Sequence, residues 1–137
     1  MYGNVLLTRE VAQIFKSRYE QGRKRSAIVF TSAMAAIVPI PGAGLYSASK
    51  IFTDFCAWGL DYELSKFGVD VSAWRAAGVS TKIIGKPENS AMIASPEAYV
   101  QQAMGKMTSG VHAGLFAHEL MHLVWTNIND IMPMSFC

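Results

Sequence analysis

The spacing of hydrophobic residues predicts a helix and then a buried strand in the first part of the chain. Over residues 4 to about 19, apolar side chains recur at intervals of three and four with charged side chains between them, which is typical of an amphipathic helix. Residues 26–32, SAIVFTS, form a short β-branched run bounded by charged residues on one side and small residues on the other. Such a run predicts a strand that is buried in a sheet.

A second helix and a second strand are predicted after a turn. Proline and glycine over residues 39–44 predict a loop, and a helical pattern then runs from residue 45 to about 67 and ends at Gly68. Residues 69–74, VDVSAW, predict another strand. The order helix, strand, helix, strand indicates an α/β fold with a parallel sheet and right-handed crossovers. The apolar face predicted for the second helix consists of Leu45, Phe52, Phe55, Leu60 and Leu64, and its solvent face of Asp54, Asp61, Glu63 and Lys66.

The remainder of the chain predicts a loop, two helices and a short edge strand. Residues 75–94 are rich in Gly, Ser and Lys and predict a loop. A helix is expected after Ser95, which can cap it, with Pro96 at its first position and Glu97 where a carboxylate interacts favourably with the helix dipole. An edge strand is expected over 110–115 and an apolar helix over 116–128. The length of 137 residues suits one hydrophobic core, so 1–137 is predicted to be a single domain.

Composition and charge exclude several classes of function. Hydrophobic residues make up 51% of the chain and charged residues 16%, which excludes a disordered protein. The net charge of +2 is too small to predict a nucleic-acid partner, and the basic run over 22–26 is interpreted as a solvated helix end. The two cysteines, Cys56 and Cys137, provide neither a disulfide framework nor a metal-binding spacing, which favours a reducing compartment.

One stretch of the chain is long enough to cross a bilayer but has the wrong composition to do so. Residues 26–49 carry no charge. Their middle contains two prolines and two glycines, Pro39, Pro41, Gly42 and Gly44. Because these residues break helices, the stretch predicts a buried strand, a loop and a helix start, and no transmembrane span.

The candidate chemistry lies at the start of the second predicted helix, where Tyr46 and Lys50 are four residues apart. Residues at this spacing lie on the same helix face. A lysine ammonium beside a phenol stabilises the phenolate and so assists a tyrosine that donates a proton to a carbonyl oxygen. The pair alone is weak evidence, because any helix can carry it at its surface.

The sequence around the pair resembles the short-chain dehydrogenase/reductase family. A buried strand ends in FTS, a loop contains PIPG, and the helix opens with YSASK at residues 46–50. Within the family the chain is most similar to very-long-chain 3-oxoacyl-CoA reductases and their 17β-hydroxysteroid dehydrogenase relatives. Four patterns in the same order carry this likeness: P-x-P at 39–41, YSASK-x-F-x-D-F at 46–55, V-x-T-K at 79–82 and SPE-x-x-V at 95–100.

The resemblance implies a fold and a set of residue roles. It implies the C-terminal half of a Rossmann-like, doubly wound parallel sheet. Tyr46 would be the proton donor, and Lys50 would hold the nicotinamide ribose of NADPH and assist the tyrosine. Val79 and Thr81 would contact the nicotinamide carboxamide. The family also has a serine that polarises the carbonyl; Ala33 stands at its usual distance from the tyrosine, and Ser32 remains an alternative one position earlier.

Two further departures from the family pattern concern the cofactor. Ala76 and Ala77 stand where the family has a proline and a glycine. The resemblance also implies that the Gly-rich phosphate turn belongs to a strand and helix roughly 100 residues or more before the tyrosine, whereas 45 residues precede Tyr46 in this sequence. We therefore expect the Gly-rich cofactor half to be missing, NADPH to bind only if such a half completes the fold, and no cofactor to bind to this chain alone.

A second pattern, HELMH at residues 118–122, fits the H-E-x-x-H motif of zinc hydrolases. A third protein ligand would be needed, and the candidates are His112 and Asp130. The segment also lies inside the family resemblance as part of its apolar C-terminal helix. An amphipathic helix that can face a partner is therefore preferred, and no metal site is predicted.

Two functions follow as alternatives. The first is a truncated, inactive relative that serves as a subunit of a larger assembly, and the second is the catalytic half of an NADPH-dependent reductase of 3-oxoacyl-CoA or steroid carbonyls. Both need a protein partner, because a parallel sheet cut in its middle exposes a strand edge and apolar helix faces. The partner would be an N-terminal half, a second copy or a larger complex, and Phe52, Phe55 and Trp58 would either face it or lie in the core. The resemblance leaves association with the endoplasmic reticulum or mitochondrial membrane open.

Overall fold

The computed structural model describes residues 2–37, 40–82, 93–105, 110–114 and 116–131. Pro39 of the predicted loop lies outside these ranges. In chain order the helices are α1 (Tyr2–Gly22), α2 (Gly44–Leu64), α3 (Pro96–Gly105) and α4 (Phe116–Ile131), with short 3-10 turns at Met34–Ala36 and Ser65–Phe67. The strands are β1 (Ser26–Ala33), β2 (Val69–Ala76), β3 (Gly78–Val79), β4 (Ile93–Ala94) and β5 (Gly110–His112).

The main sheet has three parallel strands in the order β1-β2-β5. β1 pairs with β2 from Ser26 opposite Val69 to Ala33 opposite Ala76, and β5 pairs with the second half of β2. Because parallel neighbours need a crossover, α2 connects β1 to β2 across the face of the sheet. The predicted α/β class and parallel sheet are confirmed.

The core lies between this sheet and the first two helices. β2 is the central strand of the described sheet. Its completely buried residues Val69, Val71 and Ala73 are two positions apart and so share one face of the sheet. Ala57 and Leu64 of α2 pack against it, and the same cluster includes Ala12 of α1 and Phe30 of β1. Two fully buried valines contribute about 3 kcal/mol or more to the stability of the fold.

Gly68 makes the connection from α2 to β2. Its φ of 64° is left-handed, and its N–H donates to the Ser65 carbonyl oxygen at 2.9 Å. A Cβ at this position would clash with the Tyr19 ring. The predicted helix end at Gly68 is confirmed, and both the backbone angle and the close approach of Tyr19 favour glycine here.

A smaller cluster forms beyond the carboxyl end of β2. Tyr99 and Ala103 of α3 are buried there against Trp74, Ala76, Val79, Ala94 and Ala117. α3 begins as predicted, since the Ser95 hydroxyl accepts from the Ala98 N–H at 3.2 Å. The expected edge strand is present as β5, at the opposite edge of the sheet from β1.

Two predictions about the middle of the chain are wrong. Asp54, assigned to the solvent face of α2, is fully buried, whereas Leu45 and Phe55, assigned to the apolar face, are 90% and 60% exposed. The reason is an ion pair with Arg75, which draws Asp54 toward the sheet. The predicted loop over 75–94 is also wrong at its two ends, because β2 continues through Ala76 and β3 pairs with β4, and residues 83–92 of this loop lie outside the described residues.

β1 occupies one edge of the described sheet. A cavity of about 300 Å³ lies beside it, lined by residues of α1 and β1, including Leu7 and Val29.

Within the described ranges, no helix combines the length and the hydropathy that are needed to cross a bilayer.

Candidate active site

The loop that leads into α2 is fixed by the helix itself. Ser47 is buried in the first turn, and its hydroxyl accepts from the Ile40 N–H at 3.3 Å. The Ser47 N–H in turn donates to the Ala43 carbonyl oxygen at 3.0 Å, which begins the helical hydrogen bonding. Tyr46 therefore lies on a hydrogen-bonded first turn of α2.

Tyr46 and Lys50 lie together on one face of α2, as their spacing predicts. The Lys50 Nζ atom is 5.6 Å from the centroid of the Tyr46 ring. It also donates a hydrogen bond of 3.1 Å to the Thr31 carbonyl oxygen near the end of β1. The Tyr46 side chain is 48% exposed and so remains accessible to a bound molecule. The arrangement is an accessible phenol beside an ammonium group that the strand holds in place.

Ser32 lies beneath this pair. Its side chain is buried, and its hydroxyl donates to the Lys50 carbonyl oxygen at 3.3 Å. This hydrogen bond joins the end of β1 to the second turn of α2. Ala33, which follows, is also buried. The structure thus gives Ser32 a contact with the helix backbone, and its polarisation of a substrate carbonyl stays a prediction.

Val79 and Thr81 follow the carboxyl end of β2. Val79 is half-buried in β3 and packs against the cluster around Tyr99, whereas Thr81 is exposed in the next turn. Because β1 and β2 are parallel, the residues after their carboxyl ends share one edge of the sheet, which is where open α/β sheets bind ligands. Their contact with a nicotinamide stays a prediction.

A buried ionic cluster below the pair was missed by the sequence analysis. Asp54 lies one turn after Lys50 on α2, and its Oδ2 atom accepts from Arg75 Nε at 2.7 Å. The Arg75 Nη1 atom lies 2.6 Å from His122 Nε2 on α4. The cluster links α2, β2 and α4. A signal was present in the sequence, because a charged residue at the end of an apolar strand needs a buried partner.

The HELMH segment makes contacts inside the fold. The Nδ1 atom of His118, which is fully buried, accepts from the Ala77 N–H at 3.3 Å, and a Glu119 carboxylate oxygen accepts from the Ala113 N–H at 2.7 Å. Burial and the neighbouring Arg75 guanidinium lower the pKa of His122, against an opposing effect of the Glu119 and Asp54 carboxylates. Among the described residues, no group of three or more His, Cys, Asp or Glu side chains could hold a metal ion.

A parallel α/β sheet with a Tyr-x-x-x-Lys pair at its carboxyl edge defines the class of protein. A sequence profile described as short chain dehydrogenase matches residues 1–91, which is more than half of the chain. The protein therefore belongs to the short-chain dehydrogenase family, and the predicted resemblance is confirmed.

Two curated relatives show which members of the family the chain is similar to. A very-long-chain 3-oxoacyl-CoA reductase from Anas platyrhynchos is 33% identical over 116 residues, covering 82% of this chain and 35% of the relative. A 17-beta-hydroxysteroid dehydrogenase type 3 from Danio rerio is 28% identical over 102 residues, covering 74% and 33%. The chain thus spans about a third of the length of these curated relatives.

A solved structure agrees with the fold. A short-chain dehydrogenase from Sphingobium yanoikuyae, determined in complex with NADPH, superposes with a TM-score of 0.61 at 23% identity. The match covers 96% of this chain and 54% of that one. The NADPH in that complex is bound by the Sphingobium yanoikuyae protein, and the superposition shows that the two chains share a fold.

The residues of this chain fit one end of that cofactor. Lys50 provides a fixed ammonium donor, and Tyr46 an accessible hydroxyl, at the edge where parallel sheets bind ligands. A nicotinamide ribose carries hydroxyl groups that suit an ammonium donor. The donor set therefore fits the hydroxyl groups of a ribose.

Proposed function

We propose that this chain carries the proton-donating centre of an NADPH-dependent carbonyl reductase. The observation that carries the proposal is the position of the Lys50 ammonium, 5.6 Å from the Tyr46 ring centroid and hydrogen-bonded to the Thr31 carbonyl oxygen. This geometry supports a tyrosine that gives up a proton, because a nearby cation stabilises the phenolate that remains. Lys50 also contacts the carboxyl end of β1, and we propose that it holds the ribose hydroxyls there.

The chemistry divides between the cofactor and the chain. When bound, NADPH supplies a hydride to the carbonyl carbon. Tyr46 donates its phenolic proton to the carbonyl oxygen, so that the ketone becomes a secondary alcohol and the tyrosine a phenolate. Lys50 stabilises this phenolate until a proton from solvent restores the hydroxyl. A general acid of this kind contributes about a hundredfold to ten-thousandfold to the rate.

The substrate class that we propose is a 3-oxoacyl-CoA thioester or a steroid ketone. The support is the similarity to relatives that are named as a 3-oxoacyl-CoA reductase and a 17-beta-hydroxysteroid dehydrogenase. Both classes present a ketone on a large apolar molecule. Val79 and Thr81, beyond the carboxyl end of β2, are the residues that we propose to contact the nicotinamide carboxamide.

The test compares Tyr46→Phe with a control on the same helix. Tyr62→Phe removes an equivalent hydroxyl from a side chain that is 88% exposed at the other end of α2. The assay follows NADPH oxidation with a 3-oxoacyl-CoA substrate and with a steroid ketone. We expect Tyr46→Phe to lower kcat about a hundredfold or more while Tyr62→Phe changes nothing. Turnover that is measurable in the wild type and equal in Tyr46→Phe would contradict the proposal.

A second candidate is a non-catalytic subunit of a larger assembly, and a different observation supports it. Phe55 and Trp58 are both exposed on α2, with their rings packed edge to face at 5.7 Å. β1 also forms an edge of the described sheet. Exposed aromatic clusters and strand edges are features that proteins commonly cover with a partner. We propose that a second protein chain, identical or different, covers these surfaces.

Solution mass tests this candidate. The chain with Phe55→Ser and Trp58→Ser should have the mass of one copy, whereas the wild type should be larger, because the exposed rings are the contacts that the partner would bury. Tyr46→Phe should assemble as the wild type does and serves as the control. A wild-type chain that stays monomeric at micromolar concentration would argue against a subunit role in which a second copy is the partner.

A further inference from the structure

The two histidines of the HELMH segment both contact the short stretch from Arg75 to Ala77. His118 accepts from the Ala77 N–H, and His122 contacts the Arg75 guanidinium, so one face of α4 reaches two residues that are two positions apart. This stretch leaves β2 and leads to residues 79–81. Neither contact takes part in the proton transfer from Tyr46.

We propose that α4 is a positioning element for the stretch after β2, in which His118 and His122 fix Ala77 and Arg75 and so fix the residues at 79–81. The inference rests on the proposed function only in saying that residues 79–81 contact the nicotinamide. His118 and His122 touch neither the cofactor nor the substrate in this proposal and are positioning residues.

Arg75 makes this arrangement relevant to the candidate active site. Its Nε atom donates to Asp54 on α2 and its Nη1 atom points at His122 on α4, so a single guanidinium fixes both helices to the end of β2. Asp54 lies on the same helix face as Lys50, one turn further along. The helix that carries Tyr46 and the stretch that precedes residues 79–81 are therefore held to a common point.

The contact between Arg75 and His122 depends on the protonation of His122. A guanidinium can only donate, so the His122 Nε2 atom must carry a lone pair to accept from Arg75 at 2.6 Å. A protonated imidazole would have no acceptor there and would add a second positive charge beside Arg75. The groups that act on His122 are Arg75 from β2, Asp54 from α2 and Glu119 from α4 itself.

The direction of the pH effect follows from the pKa of His122. Because burial and Arg75 lower this pKa, the neutral form is favoured in the fold. The contact is fully present above the ordinary pKa of histidine, about 6.5, and is lost as pH falls through the lowered value. The stretch after β2 should therefore loosen as pH falls through this lowered pKa.

Amide hydrogen exchange measured by NMR on the 137-residue chain tests the proposal. The probe is the Ala77 amide, with the amides of residues 71–73 in the buried part of β2 as the internal reference. The variants are His122→Gln, which can still accept from Arg75 but cannot be protonated, and His122→Leu, which can do neither. Leu123→Gln is the control, because it introduces the same glutamine at an exposed neighbour on α4.

We expect the wild type and the control to lose protection at Ala77 about tenfold or more in a pH series that descends from 7.5 through the lowered pKa of His122, after correction for intrinsic exchange, while the reference amides stay protected. His122→Gln should keep its protection throughout the series, and His122→Leu should lack it throughout. Persistent acid loss in His122→Gln would assign the effect to His118 or to another group and overturn the role of His122.

Unchanged protection of Ala77 in His122→Leu would overturn the proposed positioning role of α4 as a whole. If His122→Leu does not fold, the comparison of His122→Gln with the wild type still decides the proposal. The experiment contains neither cofactor nor substrate, so its failure would leave the Tyr46 proposal untouched. Conversely, a failure of the Tyr46 assay would leave the exchange result unchanged.

Discussion

Replacement of Arg75 by methionine should destabilise the fold strongly. The Arg75 and Asp54 side chains are 12% and 1% exposed, and the Asp54 Oδ1 atom has no hydrogen-bond partner in the described part of the chain. Without Arg75, the Asp54 carboxylate is left buried without its cation and must take up a proton or draw in water. Breaking a buried pair in this way costs about 3–5 kcal/mol. This is a large part of the free energy of unfolding of a typical domain, which is about 5–15 kcal/mol.

A double replacement distinguishes the interaction energy of the ion pair from the effect of losing either side chain alone. Asp54→Leu combined with Arg75→Met removes both charges and keeps apolar volume, so it should be within about 1–2 kcal/mol of the wild type. The two single variants should therefore cost much more than the double variant, and the coupling in a double-mutant cycle should exceed about 2 kcal/mol. Urea denaturation followed by circular dichroism at pH 7 measures all four proteins.

The matched control is the ion pair between Arg25 and Asp70. These side chains are 68% and 38% exposed, so Arg25→Met should cost less than about 1 kcal/mol. Two results would refute the reasoning about Arg75. One is a loss below about 1 kcal/mol for Arg75→Met, and the other is a double variant whose loss equals the sum of the two single losses.

Three further predictions concern local features of the fold. Gly68→Ala should cost about 1–2 kcal/mol from its left-handed φ alone, and more because a Cβ would clash with the Tyr19 ring. A smaller loss of stability in chemical denaturation would count against this packing. Ser95→Ala removes the acceptor of the Ala98 N–H and should cost about 1 kcal/mol, whereas Ser95→Asp should not. Burial raises the pKa of Tyr99 to about 12, so its contribution to stability should fall as pH rises from 10 towards that value. Tyr99→Phe should remove this alkaline loss without destabilising the fold at pH 7, because the Tyr99 hydroxyl has no hydrogen-bond partner within the described residues; an unchanged alkaline profile would contradict this.

The elements and their parallel arrangement could be predicted because they depend on local patterns. A β-branched run, a helical repeat and a glycine after it are all readable within about ten residues. The orientation of α2 could not be predicted in this way. A charged residue in a helical repeat is assigned to solvent by default, and the partner that buries Asp54 lies 21 residues further along the chain.

In the candidate site, too, the local pattern could be predicted and the contacts between distant residues could not. The spacing of Tyr46 and Lys50 predicted correctly that the two side chains lie on one face of α2. The acceptor that holds Lys50 is the backbone carbonyl of Thr31, and the acceptor of the Ser32 hydroxyl is the backbone carbonyl of Lys50. Every residue has such a carbonyl, so no choice of side chain marks these contacts in the sequence.

The hydrogen bond from Lys50 to Thr31 also bears on how a molecule would bind at this edge of the sheet. A free lysine side chain samples many rotamers, and its immobilisation costs up to about 2 kcal/mol. Lys50 loses much of this freedom when the chain folds, since the strand carbonyl already restrains its ammonium group. A hydroxyl-bearing molecule that arrives later therefore meets a preorganised donor, and the entropic penalty of ordering this side chain falls on folding and not on binding.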